Sequence, residues 1–416
     1  MSDEKDGSDF NAENFHACFM AAAQAASRWS SLSLISPPPH GEYKALQILQ
    51  PLVHLKSFRV ACGFGGFLEP LMTAICKSAS PNLSTMALAD PVAIPYLVEP
   101  AGVHIAHSLT TLHIELPKRM AGPVDILPHL HKLVVFEARN LCLPFYPPDT
   151  SFPFIHTLRA LRLKSVSVQW MAGRVFPVLE TCGVIFPLRA DISKPIEPVT
   201  MPSCAHFSYY SNDLHPLEQF QLPSLKALYV KCGQWGAWRR NPQLVANLSG
   251  LVLLHMEKWP SDGDLIPILR SLSLLDTLTI CSQLDALSFR AFLPMDANAT
   301  SGLKQASGEG RRLVLCPRLQ CLRIEWKAHS MPPELIPILK DVVTLRADCG
   351  SPLESFTFAK VPSKRGREFE LIGRDGSFIV EMIDLDEEAD GVSSEEPSDE
   401  SSDESSEQAS GFKLDI

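Results

Sequence analysis

Six side chains that can donate hydrogen bonds to an anion recur along the chain, each between two apolar residues. They are Arg59, His113, Arg162, Tyr229, His255 and Arg323. Guanidinium groups bind carboxylates and phosphates through two parallel hydrogen bonds, and imidazole and phenol groups add further donors. If one structural element displays all six on one surface, we expect that surface to bind an acidic or phosphorylated segment of another protein. The alternative is a solvated surface without a partner.

A second group combines two indoles with two guanidiniums in the sequence WGAWRR, at Trp235, Trp238, Arg239 and Arg240. Trp and Arg often anchor protein interfaces, and Arg can also stack on nucleic-acid bases. The group is therefore a candidate binding loop. In the alternative interpretation the indoles pack on neighbouring residues and the arginines are only solvated.

The patterns that catalysis or metal binding would need are incomplete. His129 and His131 alternate, and His104 and His107 lie three residues apart, but neither pair has a third ligand at the usual spacing. The sequence Gly63-Phe-Gly-Gly lacks the Lys-Ser/Thr of a phosphate-binding loop. No GxSxG or HExxH pattern occurs. We therefore expect a protein that is not an enzyme and that holds no metal and no cofactor.

A repeated apolar phrase is the element that must position the six side chains. Its clearest copy is LPSLKALYV, in which Leu225, Leu228 and Val230 are the apolar positions. The first residue of each closing apolar pair is spaced 21 to 28 residues from the next, except for the last two steps. This spacing is typical of leucine-rich repeats. The series is Phe58, Met86, Leu112, Leu133, Leu161, Cys182, Phe207, Leu228, Leu254, Leu278, Leu322 and Phe356.

These repeats predict an α/β fold, an irregular leucine-rich-repeat solenoid that is horseshoe-like, with parallel strands on its concave face. Each Leu-x-Leu makes a short strand that buries alternate side chains, and only a stack of repeats can share a core. The residue between the apolar pair then faces the concave surface. We predict the column Arg59, Ala87, His113, Val134, Arg162, Gly183, Ser208, Tyr229, His255, Thr279, Arg323 and Thr357, which has no acidic member. Because regular Asn positions are missing, another all-β or mixed fold stays open.

The chain divides by composition into four parts. Residues 1–28 are a polar start and an Ala-rich helix, and residues 29–360 are the solenoid, with an inserted loop at 296–312. Residues 364–383 alternate like a hairpin that could cap the last repeat. Residues 384–416 are predicted to be a disordered acidic tail, because Ser, Asp and Glu dominate there.

The tail carries most of the chain's negative charge. It holds 12 acidic residues and no Lys or Arg between Asp384 and Glu407. Setting these aside changes the net charge from -10 to about +2. Ser393 and Ser401 each precede a Glu by three residues, so both are candidate phosphorylation sites; an unmodified solubilising tail is the alternative.

The phrase SRWSSLSL at Ser27–Leu34, followed by irregular LPxLxxLxV units, resembles the F-box-type leucine-rich-repeat proteins of mushroom-forming fungi. In those proteins a Trp-Ser phrase joins the F-box helices to the repeats, and the likeness here spans about Ala25 to Phe358. The resemblance implies substrate recognition for an SCF-type ubiquitin ligase, with a Skp-type adaptor and a cullin as partners. Only 28 residues precede Trp29 and no F-box start is recognisable, so the adaptor-docking residues cannot be carried over. We expect either a lost F-box or an incomplete N-terminus.

The remaining features indicate a cytoplasmic or nuclear protein. The 11 cysteines are scattered and form no C-x-x-C pair, as expected in a reducing compartment. We see no secretory signal and no apolar stretch long enough to span a membrane. A clustered basic excess is missing, which argues against nucleic acid as a partner. The sequence therefore favours a non-catalytic protein-interaction module; the alternative is a scaffold or nucleic-acid-associated protein that uses the Trp/Arg loop.

Overall fold

The computed structural model describes most of the repeat region and several separate segments around it. The described residues are 24–35, 52–61, 68–77, 82–118, 122–147, 149–185, 197–211, 219–231, 248–257, 269, 271–281, 292, 295–296, 312–313, 315–326, 335–360, 367–374 and 377–384.

Short strands recur through these segments. In chain order they are β1 (Ser31–Leu34), β2 (Ser57–Val60), β3 (Thr85–Leu88), β4 (Thr111–Glu115), β5 (Val135–Arg139), β6 (Ala160–Lys164), β7 (Thr181–Ile185), β8 (Val199–Thr200), β9 (His206–Tyr210), β10 (Phe220–Gln221), β11 (Ala227–Lys231), β12 (Leu253–Met256), β13 (Thr277–Ile280), β14 (Met295–Asp296), β15 (Arg312–Leu313), β16 (Cys321–Trp326), β17 (Ser355–Lys360), β18 (Arg367–Arg374) and β19 (Ser377–Asp384).

Fifteen of these strands form one sheet, in the order β1-β2-β3-β4-β5-β6-β7-β9-β11-β12-β13-β16-β17-β18-β19. The first thirteen are all parallel and follow one another in chain order. Neighbouring parallel strands need a crossover between them, and here every crossover returns to the adjacent position. The fold is therefore the predicted α/β solenoid of the leucine-rich-repeat type.

The register of the sheet is fixed by main-chain hydrogen bonds just before each strand. The carbonyl of Ser84 accepts hydrogen bonds from the N–H groups of Thr110 and Thr111, at 2.8 and 2.9 Å. The carbonyl of Thr110 accepts from Val134 and Val135 in the same way, at 2.8 and 3.0 Å. The pattern recurs from Ser30 to Ser355, so each repeat is bonded to the next at the same position.

Two apolar side chains of each strand form the core. Those of the first row are Phe58, Met86, Leu112, Phe136, Leu161, Cys182, Phe207, Leu228, Leu254, Leu278, Leu322 and Phe356, and all are at most 3% exposed. The second row lies two residues further on, as Val60, Ile114 and Val230 do, and is equally buried. Burial of each large apolar side chain stabilises the folded state by about 2 kcal/mol. The residues between and beyond these rows face away from the core, on what we call the exposed sheet face.

The fourth repeat differs from the sequence prediction. Phe136, and not Leu133, lies opposite Leu112 and Leu161 in the neighbouring strands. Leu133 is also buried, but it precedes β5 and packs beneath the sheet. The apolar run from Leu133 to Phe136 can be aligned with the repeated phrase in two registers, one that starts the closing apolar pair at Leu133 and one that starts it at Phe136. The sequence prediction chose Leu133, which is wrong. The outward residue of this repeat is therefore Glu137 instead of Val134, and the column does contain an acid.

Where the structure describes the crossovers, they contain short helices and 3-10 turns. The α-helices among the described residues are α1 (Leu68–Lys77), α2 (Val103–Ser108) and α3 (Leu335–Asp348). In α1 the buried positions Leu68, Leu71, Met72, Ile75 and Cys76 follow the spacing of one helix face. The 3-10 turns are Ala26–Arg28, Pro91–Ala93, Pro95–Leu97, Leu127–His129, Pro153–His156 and Gln169–Met171. Four of them carry Pro in the first turn, where its missing N–H costs nothing, which accounts for part of the high proline content.

The remaining strands lie at the edges of this arrangement. β18 and β19 form an antiparallel hairpin that continues the sheet from β17. β14 and β15 pair antiparallel at the base of the predicted insertion 296–312, whose interior lies outside the described residues. The acidic tail after Asp384 is also outside them. In the part of the chain that the structure describes, no helix is both long and apolar enough to cross a bilayer.

We predict that Gly102→Ala destabilises the N-terminal half of the solenoid. A Cβ at Gly102 would lie 1.8 Å from the carbonyl oxygen of Tyr96 and 3.2 Å from the Cys76 sulfur. The start of α2 would have to move away from the preceding 3-10 turn, at a cost of about 1–3 kcal/mol. Gly122→Ala is the matched control, because its Cβ would meet nothing within 4 Å. Urea denaturation of both variants measures the difference, and equal midpoints would contradict this packing.

Candidate functional site

The six side chains singled out in the sequence lie in one column of the exposed sheet face. Strand pairing places Arg59 beside Ala87, His113 beside Glu137, Tyr229 beside His255, and Arg323 beside Thr279. The full column, which we call the central column, is Ser33, Arg59, Ala87, His113, Glu137, Arg162, Gly183, Ser208, Tyr229, His255, Thr279, Arg323 and Thr357. Neighbouring members are about 4.8 Å apart, the spacing of adjacent strands.

A second outward column lies two residues further along each strand. This distal column contains Glu115, Arg139, Lys164, Ile185, Tyr210 and Lys231 in register, followed by Glu257, Cys281 and Glu325. The main-chain N–H groups of Glu257 and Cys281 still bond to the preceding repeat, at 2.9 and 2.7 Å. Sequence reasoning missed this column because the repeated phrase ends at its second apolar residue. The residue after each phrase would have revealed it.

Acidic residues of the two columns neutralise much of the positive charge. Glu137 Oε2 lies 3.0 Å from His113 Nδ1, and Glu115 lies 3.0 Å from Arg139. Lys231 pairs with Glu257 of the next repeat in the same way, at 2.9 Å. Arg323 pairs at 3.0 Å with Glu325, two residues further along the same strand. The exposed sheet face is thus a mixed array and not the acid-free surface that the sequence predicted.

The pKa of Glu137 reflects this pairing. The hydrogen bond from His113 lowers the pKa of its carboxyl below the ordinary value, and burial opposes that effect. The positive charges of His113 and Arg162 lower the pKa further. Both effects favour the ionised carboxylate, which is the form that accepts a hydrogen bond from His113.

A line of polar contacts crosses the C-terminal half of the face. The ring of Tyr229 lies 5.5 Å from that of His255, and His255 Nε2 lies 3.3 Å from Cys281 Sγ. The Cys281 thiol donates a hydrogen bond to Glu325 Oε2 at 2.7 Å. Burial lowers the pKa of His255 below its ordinary value, whereas the nearby Glu325 carboxylate opposes this shift. Each side chain in the line is held by its neighbours, which gives this part of the face a fixed shape.

Histidines also gather at the crossovers. The ring of His107 stacks on that of His131, with centroids 4.0 Å apart, and lies 6.5 Å from that of His129. Burial lowers the pKa of His107, and the neighbouring histidines, including His104, lower it further. The sequence showed these residues as two separate pairs, and the stacking of adjacent repeats brings them together. Within the described ranges, no three His, Cys, Asp or Glu side chains are arranged to hold a metal ion.

Two groups of predicted site residues lie outside the described residues. These are the Trp/Arg loop of Trp235, Trp238, Arg239 and Arg240, and the candidate phosphorylation sites Ser393 and Ser401. Their roles stay predictions from the sequence.

Comparison with known proteins adds no family assignment. No protein-family model matches the chain, and no curated protein matches it significantly.

We predict that the imidazole of His255 titrates below its ordinary pKa and that Glu325→Gln lowers this pKa further. The carboxylate of Glu325 favours the protonated ring and so raises the pKa of His255, against the effect of burial. When this carboxylate is removed, burial lowers the pKa further. NMR of side-chain nitrogens in histidine-labelled protein measures the titration. Glu115→Gln is the control, because it removes a carboxylate from the opposite half of the face. A higher His255 pKa in Glu325→Gln would contradict the line of contacts described above.

Proposed function

We propose that the chain is a non-catalytic protein-interaction module whose exposed sheet face binds a segment of another protein. The observation that supports this most directly is the pair of aligned columns, in which side chains from consecutive repeats hold one another in place. Binding to a preorganised surface avoids the entropic cost of ordering its side chains. Tyr229 and Arg162 lie in these columns, and Tyr and Arg are prominent among the residues that anchor interfaces.

The distribution of charge and aromatic groups constrains the partner. The C-terminal half of the face presents Tyr210, Tyr229 and His255, and its cations Lys231 and Arg323 already have carboxylate partners. A uniformly acidic partner would have to compete with these carboxylates. A segment with one acidic or phosphorylated group and apolar or aromatic neighbours suits the face better.

The narrower proposal is that the module recognises substrates for an SCF-type ubiquitin ligase. It depends on the resemblance to fungal F-box-type leucine-rich-repeat proteins, in which a Trp-Ser phrase precedes the repeats. Here Trp29 packs against the core immediately before β1, so this phrase opens the stack of repeats. A Skp-type adaptor and a cullin would then be further partners, in the cytoplasm or the nucleus.

Proximity labelling in cells, followed by mass spectrometry, tests the module. We expect the double variant Tyr229→Ala/His255→Ala to enrich the partners of the unchanged chain at least about tenfold less. Truncating an interface anchor costs more than about 1 kcal/mol, and two such losses exceed the roughly 1.4 kcal/mol of a tenfold change in affinity. Lys118→Ala/Lys132→Ala is the control, since both lysines are exposed and lie outside the strands. Purified variants must retain the melting temperature of the unchanged protein.

The outcomes separate the two levels of the proposal. Identical labelling by the face variant and the unchanged chain would contradict binding at the exposed sheet face. Enrichment of a Skp-type adaptor and a cullin by all the variants would support the ligase role. If neither is enriched while other partners depend on Tyr229 and His255, the ligase role is wrong and the interaction module remains.

A further inference from the structure

The crossovers of the third and fourth repeats contact each other through two histidine rings. The ring of His107, in the last turn of α2, stacks on that of His131 with centroids 4.0 Å apart and planes inclined by 16°. Each of these histidines lies three residues before a carbonyl that fixes the register of the sheet, that of Thr110 or that of Val134. The stack therefore joins equivalent positions of two consecutive repeats.

The junctions on either side are joined near this level by a hydroxyl group. Ser108 Oγ donates a hydrogen bond to the carbonyl oxygen of Leu83, in the preceding repeat, at 2.8 Å. Thr157 Oγ1 donates in the same way to the carbonyl oxygen of Leu133, also at 2.8 Å. Lys132 occupies the equivalent position in the fourth repeat, and a lysine side chain has no hydroxyl group. The histidine stack is therefore the side-chain contact that takes the place of this bond.

Two further imidazoles lie beside the stack. The ring centroid of His129 is 6.5 Å from that of His107, and His104 lies one turn earlier on α2. Burial lowers the pKa of His107, and the charges of His131, His129 and His104 lower it further. Among the residues that the structure describes, no carboxylate oxygen lies within 4.0 Å of a ring nitrogen of these four histidines.

The charged groups of the surrounding elements do not compensate a positive charge on the stack. Lys132 directly follows His131 and adds a further cation. The carboxylates of the adjacent segments act on other groups: Glu99 on Cys76, Asp125 on Tyr146, and Glu137 on His113 at the exposed sheet face. Protonation of the histidines therefore adds like charges without a described counter-charge.

We propose that His104, His107, His129 and His131 form a pH-sensitive switch, which joins the third and fourth repeats at neutral pH and releases α2 from the turn at Leu127–His129 in mildly acidic solution. Neutral rings can stack at 4.0 Å, whereas two imidazolium charges at this distance repel each other. The switch acts at the crossovers and goes beyond the proposed function, because it does not require a partner on the exposed sheet face.

The direction of the pH dependence follows from the direction of the shift at His107. Because the pKa of His107 is lowered on folding, the folded chain takes up this proton less readily than the unfolded chain. The stabilisation is complete above the ordinary histidine pKa of about 6.5 and is lost as the pH falls through the lowered pKa. A comparison of pH 7.5 with pH 5.5 therefore covers the transition.

Hydrogen–deuterium exchange of the full chain at these two pH values, corrected for the intrinsic pH dependence of amide exchange, tests the switch. We expect peptides that cover residues 103–109 and 127–132 to exchange several-fold faster at pH 5.5, while peptides from β11 keep their rate. In His131→Gln, which removes the exposed ring of the stack, this acid response should be lost. The melting temperature of the variant should also fall by about 2 °C less than that of the unchanged chain between the two pH values.

His156→Gln is the matched control, because His156 is an exposed histidine at the same position of the next repeat. We expect it to keep the full acid response. NMR of side-chain nitrogens provides a second measurement that does not depend on unfolding. The pKa of His107 should rise in His131→Gln, because one of the charges that lower it is removed.

Four results would overturn the proposal. These are equal corrected exchange of α2 and the turn at both pH values, an undiminished acid response in His131→Gln, the same loss of response in His156→Gln, and a pKa of His107 that stays the same or falls in His131→Gln. Acid-induced exchange that rises equally in β11 would also contradict it, because the solenoid would then respond as a whole.

Discussion

The hydrogen-bonded carbonyl before each strand is the interaction on which the rest of the structure depends. The carbonyl oxygen of Lys56 is one example, and it accepts hydrogen bonds from the N–H groups of Ser84 and Thr85 at 3.0 and 3.1 Å. The carbonyl oxygen of Asp276 accepts hydrogen bonds from the N–H groups of Gln320 and Cys321 in the same way, at 2.9 and 3.0 Å. These bonds form although the longest crossover separates Asp276 from Gln320. Variation in repeat length is therefore absorbed in the crossovers and never in the sheet. Because one short strand cannot bury its own apolar side chains, each repeat is stable only beside its neighbours.

Constant register also explains the exposed sheet face. Residues at equivalent positions of consecutive repeats become neighbours about 4.8 Å apart. A charged side chain on one strand therefore lies next to the side chain at the same position of the following repeat. The pair His113–Glu137 arises in this way, and so does the pair Glu115–Arg139. Such exposed pairs add little stability. Their consequence is a surface on which neighbouring side chains hold one another in place.

Much of the fold follows from the spacing of apolar residues. The phrase at Leu225–Val230 predicts a strand with two buried side chains, and β11 has them at Leu228 and Val230. The fourth repeat was misplaced because Leu133, Val134, Val135 and Phe136 are all apolar, and only pairing with Leu112 and Leu161 distinguishes the two positions. With Phe136 in place of Leu133, the steps of 21 and 28 residues become 24 and 25. The more even spacing is the feature of the sequence that could have identified Phe136.

The candidate site was harder to predict than the fold. The central column follows from alternation, but the distal acids that neutralise it lie beyond the repeated phrase. The stacking of His107 on His131 depends on their separation of one repeat, which has meaning only once the register is known.

Hydroxyl-radical footprinting of the chain, alone and bound to a captured partner, tests the central claim most directly. The account predicts lower oxidation of Tyr210, Tyr229 and His255 in the complex, with unchanged oxidation of His107 and His131 at the crossovers. Protection of the crossover histidines with full oxidation of the two tyrosines would place the binding surface elsewhere and contradict the account.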